Sequence, residues 1–558
     1  MAQKMVVALV GLILCHLSCS ISVEEMPTVD LGYEIYRASY FNETGAFYNF
    51  SNIRYAAPPT GNRRFRAPHL PLTNRSVIQD ASIGRVCPQA YPKWFTLEGA
   101  FVPDYLSGIS FNGSRNLSSY PYIPTPLDPR TTEDCLFLDI LVPKMVLEQT
   151  SIRKQVDQRK APVLVWIYGG GYTFGDKTTQ TGAPGLIRRS MNDGNDGVIF
   201  VAFNYRLGAF GWLAGPEFEK DGNPNAGLLD QQMALEWVQK YIHLFGGDRA
   251  RVTVFGESAG GGSILHQITA YGGSRGKLPF QQALLQSPGF LPLPDRERQD
   301  RTFKRMLDIL NVTSVEEART LPSGELISGN AYHIGEFSYY GDFTFGPAVD
   351  GDFVPALPGQ LLMNGRFHNS LRIMVGSNSD EGLLFITPEA LNASGYELYL
   401  TENLPPNLAE SIRQYISDEL YPPIFNGSYG YMDGIGRGAL TLSDFSFQCN
   451  TDYVNRAFGN HTYAYRFSIP PGVHAEDLPY TFYNGPNPAV LNDTVALILQ
   501  DYITSFAKTG HPVSKIGPSF PLHGENTTVL NIDLDNIFEM RDPAASARCR
   551  WWQRGLYA

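Results

Sequence analysis

Beyond the N-terminus, no stretch of the 558-residue chain is long and apolar enough to cross a membrane, which takes about 20 consecutive apolar residues. Basic residues are in deficit: 44 Lys and Arg face 55 Asp and Glu, a formal charge of −11. That balance argues against a nucleic-acid partner, whose phosphates favour basic surfaces. Internal repeats, coiled-coil heptads and low-complexity linkers are missing too, so neither a solenoid nor a fibrous rod is expected. Cysteine is scarce, at six residues. What is present in quantity is apolar side chain, 43% of residues against 18% charged. That suffices for a large globular core.

The N-terminus reads as an export signal over residues 1–20. Lys4 supplies the positive end, Val6 to Leu17 the apolar stretch, and Ser18-Cys19-Ser20 the small residues of a cleavage site. The mature chain, 21–558, is then a single secreted domain. Its C-terminus, RWWQRGLYA, is neither a lipid-anchor tail nor a retention signal. Cys15 and Cys19 depart with the signal, leaving Cys87, Cys135, Cys449 and Cys549. An even set in an exported protein points to two disulfides, with three connectivities open. Glycosylation sequons occur at Asn42, Asn49, Asn74, Asn112, Asn116, Asn311, Asn392, Asn426, Asn460, Asn492 and Asn526, and each needs exposure to be used.

Short apolar runs alternate with helix-like segments. Leu136–Val142, Val163–Tyr168, Val198–Asn204, Val252–Phe255, Gln282–Gln286, Leu371–Val375 and Thr462–Phe467 read as strands, and Asp230–Ile242 as a helix. The polar run from Glu148 to Lys160 reads as a solvated loop or short surface helix. Alternation of this kind predicts an α/β fold, a mostly parallel sheet wrapped by helices. Ligands in such folds bind beyond the carboxyl ends of the strands.

Gly-x-Ser-x-Gly occurs twice, as GESAG around Ser258 and GGSRG around Ser274. The motif carries chemistry only where a strand meets a helix in a strained turn that lifts the serine oxygen above the sheet. Val252, Val254 and Phe255 supply a strand before Ser258, and Ile264, Leu265 and Ile268 fall at helical spacing after it. Ser274 follows Tyr271-Gly272-Gly273, a loop. Ser258 is the candidate nucleophile.

A serine hydroxyl needs a base, an acid to orient that base, and donors for the developing oxyanion. In α/β-hydrolases these follow in the order nucleophile, acid, histidine. His69 and His243 precede the serine, and His266 rides the same helix pointing away. His461 lies in a sequon, His511 in a turn and His523 in a polar loop. His474 stands beyond the strand TYAYRF, and Asp380 and Glu381 stand beyond the strand in LRIMVGSNSDEG. VLVWIYGGGYTFG opens a strand into Gly169, Gly170 and Gly171, whose backbone N–H groups can approach an oxyanion; the N–H of Ala259 adds a further donor.

These residues carry a resemblance. FGGDRARVTVFGESAG, EDCLFLDILVP, IRYAAPPTGNRRFRAP, NYRLGAFGWL and NAGLLDQQMALEWVQKYIHLFGGD resemble the signature blocks of the type-B carboxylesterase family, which includes cholinesterases and some fungal lipases. The resemblance spans nearly the whole mature chain. It implies an α/β-hydrolase fold and carboxylic ester hydrolysis through an acyl-enzyme, with no cofactor or metal. It implies Ser258 as nucleophile, Glu381 as acid, His474 as base, and Gly170, Gly171 and Ala259 as oxyanion donors. It further implies the pairings Cys87–Cys135 and Cys449–Cys549. Ala475 departs from the family pattern, where glycine commonly follows the histidine; Glu257 matches a family glutamate near the site and is given no catalytic role.

The expected substrate is a small-molecule or lipid ester. Residues 88–134, rich in Trp94, Phe95, Leu97, Phe101, Val102, Tyr105, Leu106, Ile109 and Phe111, would be a lid in a lipase or a fixed rim in an esterase. A choline specialist is disfavoured, because YIPTPLDPRTTEDC lacks the tryptophan that cholinesterases hold there. A non-catalytic adhesion protein on the same fold is the competing reading of another class, opposed by the intact Ser258, Glu381 and His474.

Overall fold

The computed structural model describes residues 26–557, apart from 110, 112–116, 118, 119, 153–159, 195, 196, 291–293 and 406. Residues 1–20, read as an export signal, and the sequons at Asn112 and Asn116 lie outside the described residues.

Seven parallel strands form the centre of an 11-stranded sheet. Across it run Thr528–Ile532, Tyr463–Phe467, Arg372–Asn378, Gln282–Gln286, Gly247–Glu257, Ala161–Ile167 and Ile199–Phe203. Antiparallel strands close both edges: Ile537–Arg541 on one side, and Phe137–Pro143, Phe47–Arg54 and Tyr40–Asn42 on the other. Helices cover both faces. Strand Ala161–Ile167 is buried at every position, the continuous apolar pattern of a parallel strand packed on two sides. This is the α/β-hydrolase fold. Each of the seven strands read from the sequence is present, and so is the helix, extended to Ala226–Tyr241. The polar run from Glu148 begins inside a helix, Lys144–Ile152.

Two disulfides, Cys87–Cys135 and Cys449–Cys549, have Cα atoms 5.0 and 4.9 Å apart, and they match the family pairing. Asp444 lies beside Cys449 and Cys549 in a grouping of metal-ligand type. Both sulfurs are consumed in the bond, and the Asp444 carboxylate is taken by Arg548 and Tyr421, at 2.6 and 2.8 Å.

The sequons differ in access. Asn74, Asn311, Asn392, Asn426 and Asn526 are exposed; Asn42, Asn460 and Asn492 are half-buried. Asn49 is a correction to the sequence reading. It is buried, and its amide nitrogen donates to Ser51 Oγ at 2.7 Å, so it lacks the exposure a used sequon needs.

Candidate active site

The strand Gly247–Glu257 ends at Ser258, and the helix Ala259–Thr269 begins directly after it. Ser258 makes the turn with φ 58° and ψ −126°, a backbone conformation that side chains other than glycine occupy only when their surroundings enforce it. Enforcement comes from close packing. A Cβ on Gly256 would meet Ile167 O at 2.7 Å, and one on Gly260 would meet it at 2.0 Å. Only glycine at both places lets the helix seat against the neighbouring strand. Ser258 stays partly exposed while the residues on either side are buried. Ser274 is exposed in a loop, its hydroxyl donating to Tyr271 O at 2.6 Å.

His474 and Glu381 come from loops after two adjacent parallel strands, Tyr463–Phe467 and Arg372–Asn378. A bridge between Asp380 and Val473 ties those loops together. Across 93 positions, Glu381 Oε2 then lies 2.5 Å from His474 Nδ1. Glu381 is wholly buried, and its other oxygen accepts from Ser287 Oγ and the Asn378 N–H, both at 2.6 Å. A carboxylate held by three partners has one orientation, and fixes the imbalance between the two ring nitrogens. Asp380, its neighbour, is exposed and binds Ser379 Oγ. Ser287 and Asn378 were absent from the sequence reading.

The ring of His474 packs against Phe447 and Phe385, with centroids 4.4 and 5.1 Å away. Its Nε2 has no hydrogen-bond partner among the described residues; Glu257 Oε1 lies 3.2 Å from it. Burial pulls the imidazole down, but the carboxylates of Glu257 and Glu381 outweigh it and push His474 up to about 9. Glu257 is pushed up by burial to about 8, against the pull of His474. Ala475 has φ 68°, a left-handed conformation that costs a side-chain-bearing residue about 1–2 kcal/mol. That accounts for glycine as the common family choice.

The other histidines fall elsewhere. His266 is buried against Phe290 with neither ring nitrogen bonded to any described residue, and burial lowers it to about 3. His461 and His511 are exposed. His523 is not in a solvated loop as its sequence suggests: it is fully buried and pairs with Asp542 at 3.1 Å.

Gly170 and Gly171 have φ of 104° and 57°. A Cβ on Gly170 would meet Phe174 O at 2.2 Å, and one on Gly171 the Phe343 ring at 2.3 Å. Both glycines line the cavity on which Ser258 opens, and the adjoining Gly169 packs against the nucleophile turn itself, where an added Cβ would meet Glu257 O at 2.7 Å and Ser258 Cβ at 2.9 Å. Two cavities meet at Ser258, Gly171, Phe343 and Phe385. One, about 500 Å³, is walled by Tyr172, Ala259, Phe290, Phe345, Leu442 and Phe447. The other, about 820 Å³, adds Phe95, Glu98, Gly170, Phe174, Glu257 and His474.

The fold and its strained serine turn define an α/β-hydrolase with a serine, a histidine and a carboxylate gathered at the carboxyl ends of the strands. The chain belongs to the carboxylesterase family, whose model matches residues 36–552. It is 40% identical to the carboxylesterase patB of Aspergillus clavatus over 545 residues, 95% of this chain and 96% of that protein. It is 33% identical to a secreted lipase of Arthroderma benhamiae, over 68% of this chain and 72% of the lipase. Among solved structures it superposes on Aspergillus niger EstA with a TM-score of 0.77 at 25% identity, covering 95% of this chain and 98% of that one. The protein is a serine hydrolase of carboxylic esters.

Proposed function

We propose that Ser258 Oγ attacks the ester carbonyl, giving its proton to His474 Nε2 while Glu381 holds Nδ1. The carbonyl oxygen turns towards the N–H groups of Gly170, Gly171 and Ala259. The C–O bond to the alcohol breaks, and the alcohol leaves with the proton from His474. Water, deprotonated by the same nitrogen, then releases the acid and restores Ser258. The observation that carries this reading is the 2.5 Å contact from Glu381 to His474, in a cavity that His474 shares with Ser258. Hydrogen bonds of this kind commonly tighten only once substrate binds, which accommodates the open Nε2. A panel of esters of one alcohol with increasing acyl length tests it: turnover is expected for acyl groups that the apolar cavity walled by Tyr172, Phe290, Phe345 and Phe447 admits. No turnover of any member would leave the adhesion reading.

His474 works as a base only when neutral. Because its pKa is raised, protons hold it over a wider range, and activity present at alkaline pH is lost as pH falls through the raised value. The acidic limb of kcat/KM is expected above 6.5, the ordinary histidine value. Glu257→Gln removes one of the carboxylates that raise it, so the limb should move to lower pH. A wild-type limb at or below 6.5 would contradict this assignment.

Residues 21–558 act as one domain, exported by the signal at 1–20. The relative named as a secreted lipase supports that location, and no described helix is long and apolar enough to cross a membrane. Substrates are small esters. The described part of the segment 88–134 acts as a fixed rim: in its helix, Trp94–Leu106, Trp94, Leu97, Phe101 and Val102 are buried. Trp94 Nε1 donates to Asp342 O at 2.7 Å, and Lys93 pairs with Glu336 at 2.8 Å. Leu106 and Ile109 face outward. Replacing both by serine should leave the ratio of long-chain emulsified to short-chain soluble ester hydrolysis within about twofold of wild type, since single surface changes cost little. A selective loss on emulsified esters would restore the lid.

A further inference from the structure

The two cavities at Ser258 are not equivalent, and the position of His474 assigns them. The departing alcohol must take its proton from His474, so it lies on the histidine side, in the cavity of about 820 Å³. The acyl group occupies the other, whose walls are chiefly aromatic and aliphatic. The alcohol cavity contains a group that the mechanism does not use. Glu98, on the helix Trp94–Leu106, lines it together with Phe95, Phe174, Phe343, Phe385 and Leu384. Glu98 is half-buried and makes no hydrogen bond or ion pair with any described residue. Burial alone pushes its carboxyl upward, with no neighbouring cation to oppose the shift.

The Glu98 carboxyl oxygens are not among the buried unpartnered atoms, so water reaches them in the free enzyme, and a ligand that covers them without replacing that water makes them costly to desolvate. A ligand that supplies the hydrogen bond in water's place avoids that cost, whereas an apolar ligand incurs it. The cavity also presents Thr179 and Gln180, neutral groups that suit a neutral polar ligand better than an ion. We propose that Glu98 is a specificity-determining residue, selecting esters whose alcohol portion carries a second, uncharged hydroxyl that donates to its carboxyl group. The substrate class is thus a monoester of a diol or polyol, with an apolar acyl group. Glu98 contacts the alcohol away from the reacting bond and takes no part in the proton transfers. The inference rests on the ester-hydrolysis reading of Ser258 and His474.

The test compares 2-hydroxyethyl, propyl and 2-aminoethyl esters of one acid, which are close to isosteric and differ in the terminal group. The full-length wild-type enzyme is expected to favour the hydroxyethyl over the propyl ester by about tenfold in kcat/KM, the factor that a hydrogen bond to a charged group carries. Glu98→Leu should abolish that preference. Glu98→Gln, which keeps the shape and an acceptor oxygen but not the charge, should retain a smaller preference of about threefold. Using the ratio of two substrates on each variant cancels any loss of folded enzyme. A wild-type ratio near one, or a ratio unchanged in Glu98→Leu, overturns the proposal. So does preference for the aminoethyl ester that both variants lose, which would make Glu98 a cation site. Ser258→Ala on the propyl ester separates the two layers: if hydrolysis persists there, the reading of Ser258 fails; if it vanishes while the ratio behaves otherwise than stated, only the role of Glu98 fails.

Discussion

Ser258→Ala is expected to lower kcat for a soluble ester by several orders of magnitude, about 10⁴-fold or more, with KM little changed. The size follows from non-additivity: nucleophile, base and acid act as a unit, so removing the nucleophile forfeits nearly all that the three achieve. A residue of catalysis over water should survive, because the Gly170 and Gly171 backbone is untouched by the substitution. Folding should survive as well. Alanine must still adopt the φ of 58° at this turn, as serine does, so the strain is unchanged. Ser274→Ala provides the control. Its hydroxyl reaches only Tyr271 O in an exposed loop, and turnover should stay near wild type. Comparable losses in the two variants would overturn the choice between the motifs.

Glu381→Gln is expected to reduce kcat by about 10²- to 10⁴-fold, a smaller loss than that of the nucleophile. Glutamine can still fill the site, but its amide cannot stabilise the imidazolium that forms when His474 takes the proton. It also disturbs the shell around it, since Ser287 Oγ and the Asn378 N–H both donate to the same oxygen. If the amide NH₂ faces them, two donors confront a third. Asp380→Asn should cost little, because Asp380 is exposed and bonds Ser379. The acid would be reassigned if the two variants ranked the other way. Steady-state kinetics on both, with circular dichroism to establish folding, decides the matter.

The sheet was legible because its central strands are buried on both faces and therefore read as continuous apolar runs such as VLVWI and QALLQ. The edge hairpin at Tyr40–Arg54 was not read, nor were Thr528–Ile532, a parallel strand interrupted by Asn531, and its antiparallel edge partner Ile537–Arg541, because polar and apolar positions mix in all of them. Ser258 could be chosen over Ser274 because the turn demands a strand before it and a helix after it. Glu381 and Asp380 were harder to separate: adjacent residues after a strand point in different directions, and only the bridge from Asp380 to Val473 decides which reaches the histidine. Ser287 and Asn378 had no signal at all, because their role arises from contacts across strands. His523 misled for the same reason. LHGEN reads as a loop, yet the carboxylate of Asp542, 19 positions on, makes burial affordable. Asn49 shows the limit of a sequon, which specifies chemistry but not access.

The most direct test of the central claim is covalent labelling by a phosphonate ester that mimics the tetrahedral oxyanion, followed by proteolysis and peptide mass spectrometry. The account predicts one equivalent of adduct on the peptide containing Ser258, lost in Ser258→Ala and greatly slowed in His474→Ala. Stoichiometric labelling elsewhere, or none in a preparation that hydrolyses esters, would contradict it.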